Sequence, residues 1–176
     1  GKRVTGTRDV REANSQCSRS EHRFGVCGWP VAHSRSPQMQ NAALTALGLE
    51  GWRYQRLPIP PELLDETVRA LPEQGFAGVN VTIPHKEAAL ALANDASAAA
   101  RAIGAANTLT FGEAGGIRAD NTDAPGLIAA LPVRPEGCTV TVLGAGGTAR
   151  AAVWALREAG AARISIWNRT AGRAAE

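Results

Sequence analysis

The chain has 176 residues, 44% of them hydrophobic and 20% charged, with 19 Lys+Arg against 16 Asp+Glu. That length suits one domain, or one and part of another, at roughly 100–200 residues per domain, and a core of this size needs no disulfides. The net charge of +3 is small and scattered, which argues against a nucleic-acid-binding stripe, and no apolar run approaches the ~20 residues of a membrane-crossing helix.

The basic residues before Phe24 (Lys2, Arg3, Arg8, Arg11, Arg19 and Arg23) alternate with Asp9, Glu12 and Glu21 and have almost no aromatic company. Residues 1–22 therefore read as a disordered, solvated tail. They lack the apolar stretch of a secretory signal, and their acids argue against a transit peptide. The absence of an initiator Met points to a missing leading piece. Cys17, Cys27 and Cys138 are odd in number and far apart. They exclude a disulfide framework and a recognisable zinc site, and no metal is expected. Cys27 and Cys138 adjoin apolar runs and read as small core residues in a reducing, cytoplasmic setting.

Arg23–Gly28 is the first strand-like run. Ser36–Leu47 has helical spacing (Met39, Ala43, Leu44, Leu47), with Ser36 placed as N-cap before Pro37 and Gly48 as the stop. Tyr54–Ile59 reads as a strand, Pro61–Leu71 as a helix with Leu63, Leu64, Val68 and Leu71 on one face, and Gly78–Ile83 as a strand closed by Pro84. Short helices follow at His85–Ala93 and Ser97–Ile103, the latter stopped by Gly104. Ala106–Phe111 and Ile117–Asp120 form a hairpin around the Gly112–Gly116 turn, and Asp123–Leu131 is helical. The segment Pro132–Gly137 marks a boundary. Beyond it lie a strand at Thr139–Leu143, a helix at Thr148–Ala159 and a strand at Arg163–Trp167.

Alternating strands and helices predict an α/β fold with a mostly parallel open sheet. The boundary divides the chain into a first unit, residues 23–133, and a second, residues 134–176. The run Val140-Thr-Val-Leu-Gly-Ala-Gly-Gly-Thr-Ala149 sets Gly144 and Gly146 between a strand and a helix, the context of a dinucleotide fingerprint. Free N–H groups at the helix start suit a pyrophosphate. Asn168-Arg169-Thr170 ends the next strand without the Asp or Glu of an NAD site. Arg169, with Arg173 as a second cation, suits a 2′-phosphate, so NADP is the expected cofactor.

Polar residues gather at the predicted strand ends: His33-Ser34-Arg35-Ser36, Asn80-Val-Thr82 with His85-Lys86, Asn107-Thr108 and Asn121-Thr122-Asp123. In an open parallel sheet these ends share a cleft, and hydroxyls, amides, one Lys and one Asp suit a small polyhydroxylated acid. Ser34-x-Ser36-Pro37, Asn80-Val-Thr82-x-Pro84-His85-Lys86, Gly104-Ala-x-Asn107-Thr108, Asn121-Thr-Asp123 and Gly144-Ala-Gly-Gly147 occur in the order seen in the shikimate dehydrogenase family, which the chain resembles from about Phe24 to Thr170. Gln40 departs from the His common in that family before Asn41.

The resemblance implies reversible, NADP-dependent reduction of 3-dehydroshikimate to shikimate, a step toward aromatic amino acids. It implies Lys86 as catalytic acid/base with Asp123 as its partner, and Ser34 and Ser36 on the substrate carboxylate. Thr82 and Asn107 fall on ring hydroxyls. Gly144, Ala145, Gly146, Gly147 and Thr148 fall on the cofactor phosphates, and Asn168, Arg169, Thr170 and Arg173 on its adenosine end. By this resemblance residues 23–133 are a substrate-binding catalytic domain, residues 134–176 are the first half of a Rossmann-like NADP-binding domain, and the chain reads as a C-terminally truncated member. An NAD-dependent quinate/shikimate dehydrogenase and a truncated ligand-binding module without turnover are the alternatives.

Overall fold

The computed structural model describes residues 22–112 and 115–175. The expected tail lies outside the described residues except for His22, whose carbonyl accepts a bond from the Arg53 amide at 2.9 Å.

A six-stranded sheet is built from β1 (Arg23–Gly28), β2 (Arg53–Pro58), β3 (Phe76–Val81), β4 (Asp95–Ala96), β5 (Thr108–Phe111) and β6 (Ile117–Asp120), in the order β2-β1-β3-β5-β6-β4. β5 runs against β3 and β6, and the other strands share one direction. The hairpin thus inverts a single strand of a mostly parallel sheet. Gly28 sits where a Cβ would overlap the Thr82 methyl, so the glycine lets the loop after β3 close onto the end of β1.

One face of this sheet packs Cys27, Val79 and Val81 against Leu64, Val68 and Leu71. Leu64 and Val68 belong to α2 (Leu64–Ala70), and their spacing of four sets both on the inward stripe. Each such side chain contributes roughly 1.5–3 kcal/mol by leaving water. α2 is preceded by a 3-10 turn at Pro61–Leu63, so the helix expected over Pro61–Leu71 is a tight turn followed by an α segment. α3 (Lys86–Leu92) buries Ala89 in the same core.

α1 (Ser36–Ala46) covers the opposite face near Val26, Val31 and Tyr54. Of its expected apolar stripe, Leu44 packs against this cluster, whereas Met39 and Leu47 are 64% and 72% exposed. Polar bonds hold it as well: Asn41 Oδ1 accepts from the Tyr54 amide at 2.9 Å, and Asn41 Nδ2 donates to the Tyr54 carbonyl at 2.8 Å. Ser36 is not the N-cap. Arg35 holds that position without a side-chain cap, and the Ser34 hydroxyl accepts the Ser36 amide at 3.3 Å. Gly48 follows the helix at φ +68° as expected.

α4 (Ala98–Ile103) is capped by Ser97, which accepts from the Ala100 amide, and stops at left-handed Gly104. α5 (Asp123–Ala130) leads to the second sheet, in which β7 (Thr139–Leu143) and β8 (Arg163–Trp167) pair in parallel around α6 (Gly147–Glu158). The helix α7 (Ala171–Ala175) follows. Small residues bring α4, α5 and α6 together, with Ala105, Ala124, Ala151 and Ala155 clustered around Ile103. Cys27 is buried as expected, whereas Cys138 is exposed because it lies ahead of β7 in the turn after Pro135.

Candidate functional site

Because all strands but β5 run one way, the carboxyl ends of β1, β3 and β6 share an edge with the amino end of β5. That edge gathers the loops bearing Ser34, Thr82, Lys86, Asn107 and Asp123. Lys86 opens α3, Asp123 opens α5, and Thr148 lies in the first turn of α6. Lys86 Nζ donates to Asp123 Oδ2 at 2.5 Å and to Thr148 Oγ1 at 2.9 Å. The side chains are only 11% and 25% exposed for Lys86 and Asp123, so removing either one would strand a largely buried charge.

The Asp123 carboxylate is held from its other oxygen too, where Asn107 Nδ2 donates to Oδ1 at 2.8 Å. Asn121 fixes the turn that delivers it: buried Asn121 accepts the Asp123 amide through Oδ1 at 3.1 Å and donates to the Ala105 carbonyl at 2.9 Å. The Ala106 amide donates to the Lys86 carbonyl at 2.8 Å, tying α3 to the strand that carries Asn107. His85 points away from this cluster, and its Nε2 lies 2.7 Å from the Ile59 carbonyl in the core.

Ser34 and Ser36 form a second polar group, joined by the bond from the Ser36 amide to the Ser34 hydroxyl. Arg56 fixes its backbone: Nε and Nη2 both donate to the Ser34 carbonyl, at 3.0 and 2.6 Å. Thr82 is half-buried, and its amide bonds to the Cys27 carbonyl at 2.8 Å. Two ionisable side chains nearby are strongly shifted. Burial pushes the Cys27 thiol up to about 12, and burial with the neighbouring Cys27 pushes the Tyr54 hydroxyl up to about 12.

The glycine loop has the form a dinucleotide needs. Gly144 takes φ +116°, and nothing lies within 4 Å of a Cβ placed on Gly144 or Gly146. The open side of that turn faces the start of the twelve-residue α6, where unpaired amides favour an anion. Gly147 serves a different end, because a Cβ there would stand 2.9 Å from Lys86 Cβ. At the end of β8, Asn168 Nδ2 donates to the Thr170 carbonyl at 2.8 Å and shapes the turn. Arg173 joins Gly144, Ala145, Ala149 and Arg150 around a groove of ≈ 300 Å³. Arg169 and Arg173 are exposed and make no ion pair among the described residues. Open glycines, a free helix start and two cations fit a phosphorylated dinucleotide with an extra phosphate.

All the expected residues but Thr82 thus fall into three groups: Lys86, Asp123, Asn107 and Thr148 joined directly, Ser34 with Ser36, and the glycine loop with the end of β8; Thr82 is bonded through its backbone to Cys27 and His85 instead. Missing from the expected site are Asn121 and Arg56, which hold Asp123 and Ser34, and Tyr54, which bonds Asn80. Asn121 was visible as the first residue of Asn121-Thr-Asp123. Arg56 had no local signal, since its partner lies 22 residues away.

A mixed sheet meeting the opening βαβ unit of a Rossmann-like fold defines a class of two-sheet α/β proteins with a cleft at the strand ends. Within that class, residues 26–109 match the shikimate dehydrogenase substrate binding domain. The chain is 54% identical over 157 residues to the shikimate dehydrogenase (NADP(+)) of Methylobacterium radiotolerans, covering 85% of this chain and 55% of that protein. The shikimate 5-dehydrogenase of Thermus thermophilus, in complex with NADP(H) and shikimate, superposes with a TM-score of 0.77 at 46% identity, over 87% of this chain and 58% of that one. The 5-ketofructose reductase of a Gluconobacter species superposes with a TM-score of 0.76 at 35% identity, over 88% and 56%. The chain belongs to the shikimate dehydrogenase family. It spans about half the length of the curated relatives it matches.

Proposed function

We propose that this chain carries the substrate-binding part and the first half of the cofactor-binding part of an NADP-dependent shikimate dehydrogenase, which reversibly reduces 3-dehydroshikimate to shikimate. The observation that supports this most directly is Lys86 Nζ, buried between the Asp123 carboxylate and the Thr148 hydroxyl at the start of the glycine-loop helix. One charged donor faces both the substrate edge of the large sheet and the cofactor loop of the small one. Names of the relatives support the same substrate and cofactor.

Gly144, Ala145, Gly146, Gly147 and Thr148 would hold the NADP pyrophosphate, and Asn168, Arg169, Thr170 and Arg173 its adenosine and 2′-phosphate. When bound, the nicotinamide supplies hydride to the ketone carbon or takes it from the alcohol. Lys86 holds a proton at the reacting oxygen and stabilises negative charge there. Asp123 orients the ammonium and accepts from the neighbouring substrate hydroxyl. Ser34 and Ser36 donate to the substrate carboxylate, while Thr82 and Asn107 take ring hydroxyls. Buried, unpaired Cys27 agrees with a reducing, cytoplasmic setting.

The test is the absorbance of reduced nicotinamide during oxidation of shikimate, with NADP against NAD and shikimate against quinate, on this chain and on the full-length natural protein. Turnover with NADP and shikimate is expected from the full-length protein. Lys86→Met should lower kcat by about a hundredfold or more while KM for shikimate changes by less than about threefold. Near-normal kcat in that variant would remove Lys86 from the chemistry, and turnover of quinate with NAD alone would overturn the substrate and cofactor.

A further inference from the structure

We propose that Tyr54 is a positioning residue for Asp123, acting through a one-directional hydrogen-bond relay that crosses the sheet from β2 to α5. The inference rests on the reading of Asp123 as part of the site and adds a residue distant from the strand-end cleft.

The relay's direction follows from one backbone group. The Thr122 amide, which can only donate, lies 2.9 Å from Asn107 Oδ1. That fixes the Asn107 amide, so its Nδ2 faces Asp123 Oδ1 at 2.8 Å and Thr122 Oγ1 at 2.9 Å. Asn107 Oδ1 also accepts from the Thr108 hydroxyl at 3.0 Å. Having given its proton there, Thr108 Oγ1 accepts from Asn80 Nδ2 at 3.4 Å. Asn80 therefore turns Oδ1 toward Tyr54, whose hydroxyl donates at 2.7 Å. No member can reverse without leaving two acceptors or two donors facing each other.

Each donor in this series points toward the carboxylate, and Tyr54 stands at its head. Tyr54 is also clamped through both backbone groups by Asn41 and is 8% exposed. A rigid phenol thus holds Asn80, which orients Thr108 and Asn107, which in turn holds the one Asp123 oxygen that Lys86 does not take. The 3.4 Å link between Asn80 and Thr108 is the longest in the relay, so loss of the Tyr54 hydroxyl frees Asn80 to rotate there first.

The test has two arms. In the full-length natural protein, Tyr54→Phe and Thr108→Val should each lower kcat about three- to tenfold, with KM for shikimate within about twofold. The double variant should be no slower than the slower single variant, because both substitutions cut one relay. Losses that multiply, or an unchanged kcat in Tyr54→Phe, would overturn the proposal. In this chain Tyr54 is the one tyrosine, so tyrosine labelled with carbon-13 at Cζ gives one resonance. That resonance should move in Thr108→Val and in Asp123→Asn, and a signal unmoved by both would overturn the relay whether or not the protein turns over shikimate. Absent turnover in the unmutated full-length protein would sink the functional reading, and the labelled resonance would still decide the relay.

Discussion

The adjacent glycines 146 and 147 have opposite reasons to be glycine, and replacing each by alanine separates folding from cofactor binding. A methyl on Gly147 would sit 2.9 Å from Lys86 Cβ, 3.3 Å from Lys86 Cδ and 3.5 Å from Ala105 Cβ. Lys86 Cβ is fixed by the α3 backbone and cannot swing aside. Reaching ordinary contact at about 3.5–4 Å therefore moves the start of α6 from α3 by roughly half an ångström to one ångström. Overpacking of this kind costs about 1–3 kcal/mol. At about 2–4 °C per kcal/mol for a chain of this size, Tm should fall by roughly 2–12 °C. The same displacement stretches the 2.9 Å bond from Lys86 Nζ to Thr148 Oγ1.

Gly146 has φ −92°, which any residue adopts, and nothing lies within 4 Å of its Cβ. Gly146→Ala should melt no lower than the parent and up to about 4 °C higher, since a compatible Gly→Ala change shifts stability by tenths of a kcal/mol to about one, in the favourable direction. Its methyl instead fills the space over which the pyrophosphate would lie. Thermal melts of both variants, followed by NADP titration of the full-length protein, check the pair. Gly147→Ala should lose stability, and Gly146→Ala should lose NADP affinity by about tenfold or more with no loss of Tm. An unchanged Tm in Gly147→Ala would refute the close docking of α6 on Lys86, and unchanged affinity in Gly146→Ala would refute the assignment of the loop.

Two further outcomes follow from groups around the site. Tyr54 ionises in the unfolded chain near 10.0 and in the folded one at about 12, chiefly because it is buried. The folded state keeps a proton that the unfolded state releases, so this contribution is full below pH 10 and is lost as pH rises toward 12. It amounts to about 3 kcal/mol for a two-unit shift. Tyrosinate absorbance appearing near pH 10 in the still-folded chain would contradict it. Arg56→Met removes both bonds to the Ser34 carbonyl. It should raise KM for shikimate by roughly five- to twentyfold with kcat within about twofold, read by steady-state kinetics, and an unchanged KM would separate Ser34 from substrate binding.

Local chemistry made much of the fold legible. Strands β1, β7 and β8 begin and end where apolar runs do, and Gly48 and Gly104 stop their helices at positive φ. Legibility failed where a partner far along the chain decided the outcome. Met39, Ala43, Leu44 and Leu47 looked like a docking stripe, but Asn41 bonding to β2 orients α1 so that Leu44 packs inward while Met39 and Leu47 face out. Ser36 looked like a cap, but Ser34 reaches its amide and shifts the helix start. β4 is two residues long and exists only because β6 pairs with it. In the site, Lys86, Asp123 and Asn107 were marked by their own motifs. Tyr54 and Arg56 were not, because each sits mid-strand in β2 and its role comes from residues brought alongside by β1 and β3.

The placement of Lys86 explains why the motifs of two different sheets have to occur in one chain. Its ammonium is bound by Asp123, delivered by the turn after β6, and by Thr148, delivered by the turn after β7. Glu87, the next residue on α3, faces Arg150 of α6 at 3.7 Å. Gly147 removes the one side chain that would keep these helices apart. A buried ammonium is costly unless each of its donors is met, so the large sheet alone leaves Lys86 short of a partner and the small sheet alone leaves Thr148 without its donor. Docking of α6 on α3 therefore does two things at once: it completes the hydrogen-bonded environment of the Lys86 ammonium, and it sets the start of the glycine-loop helix beside that ammonium.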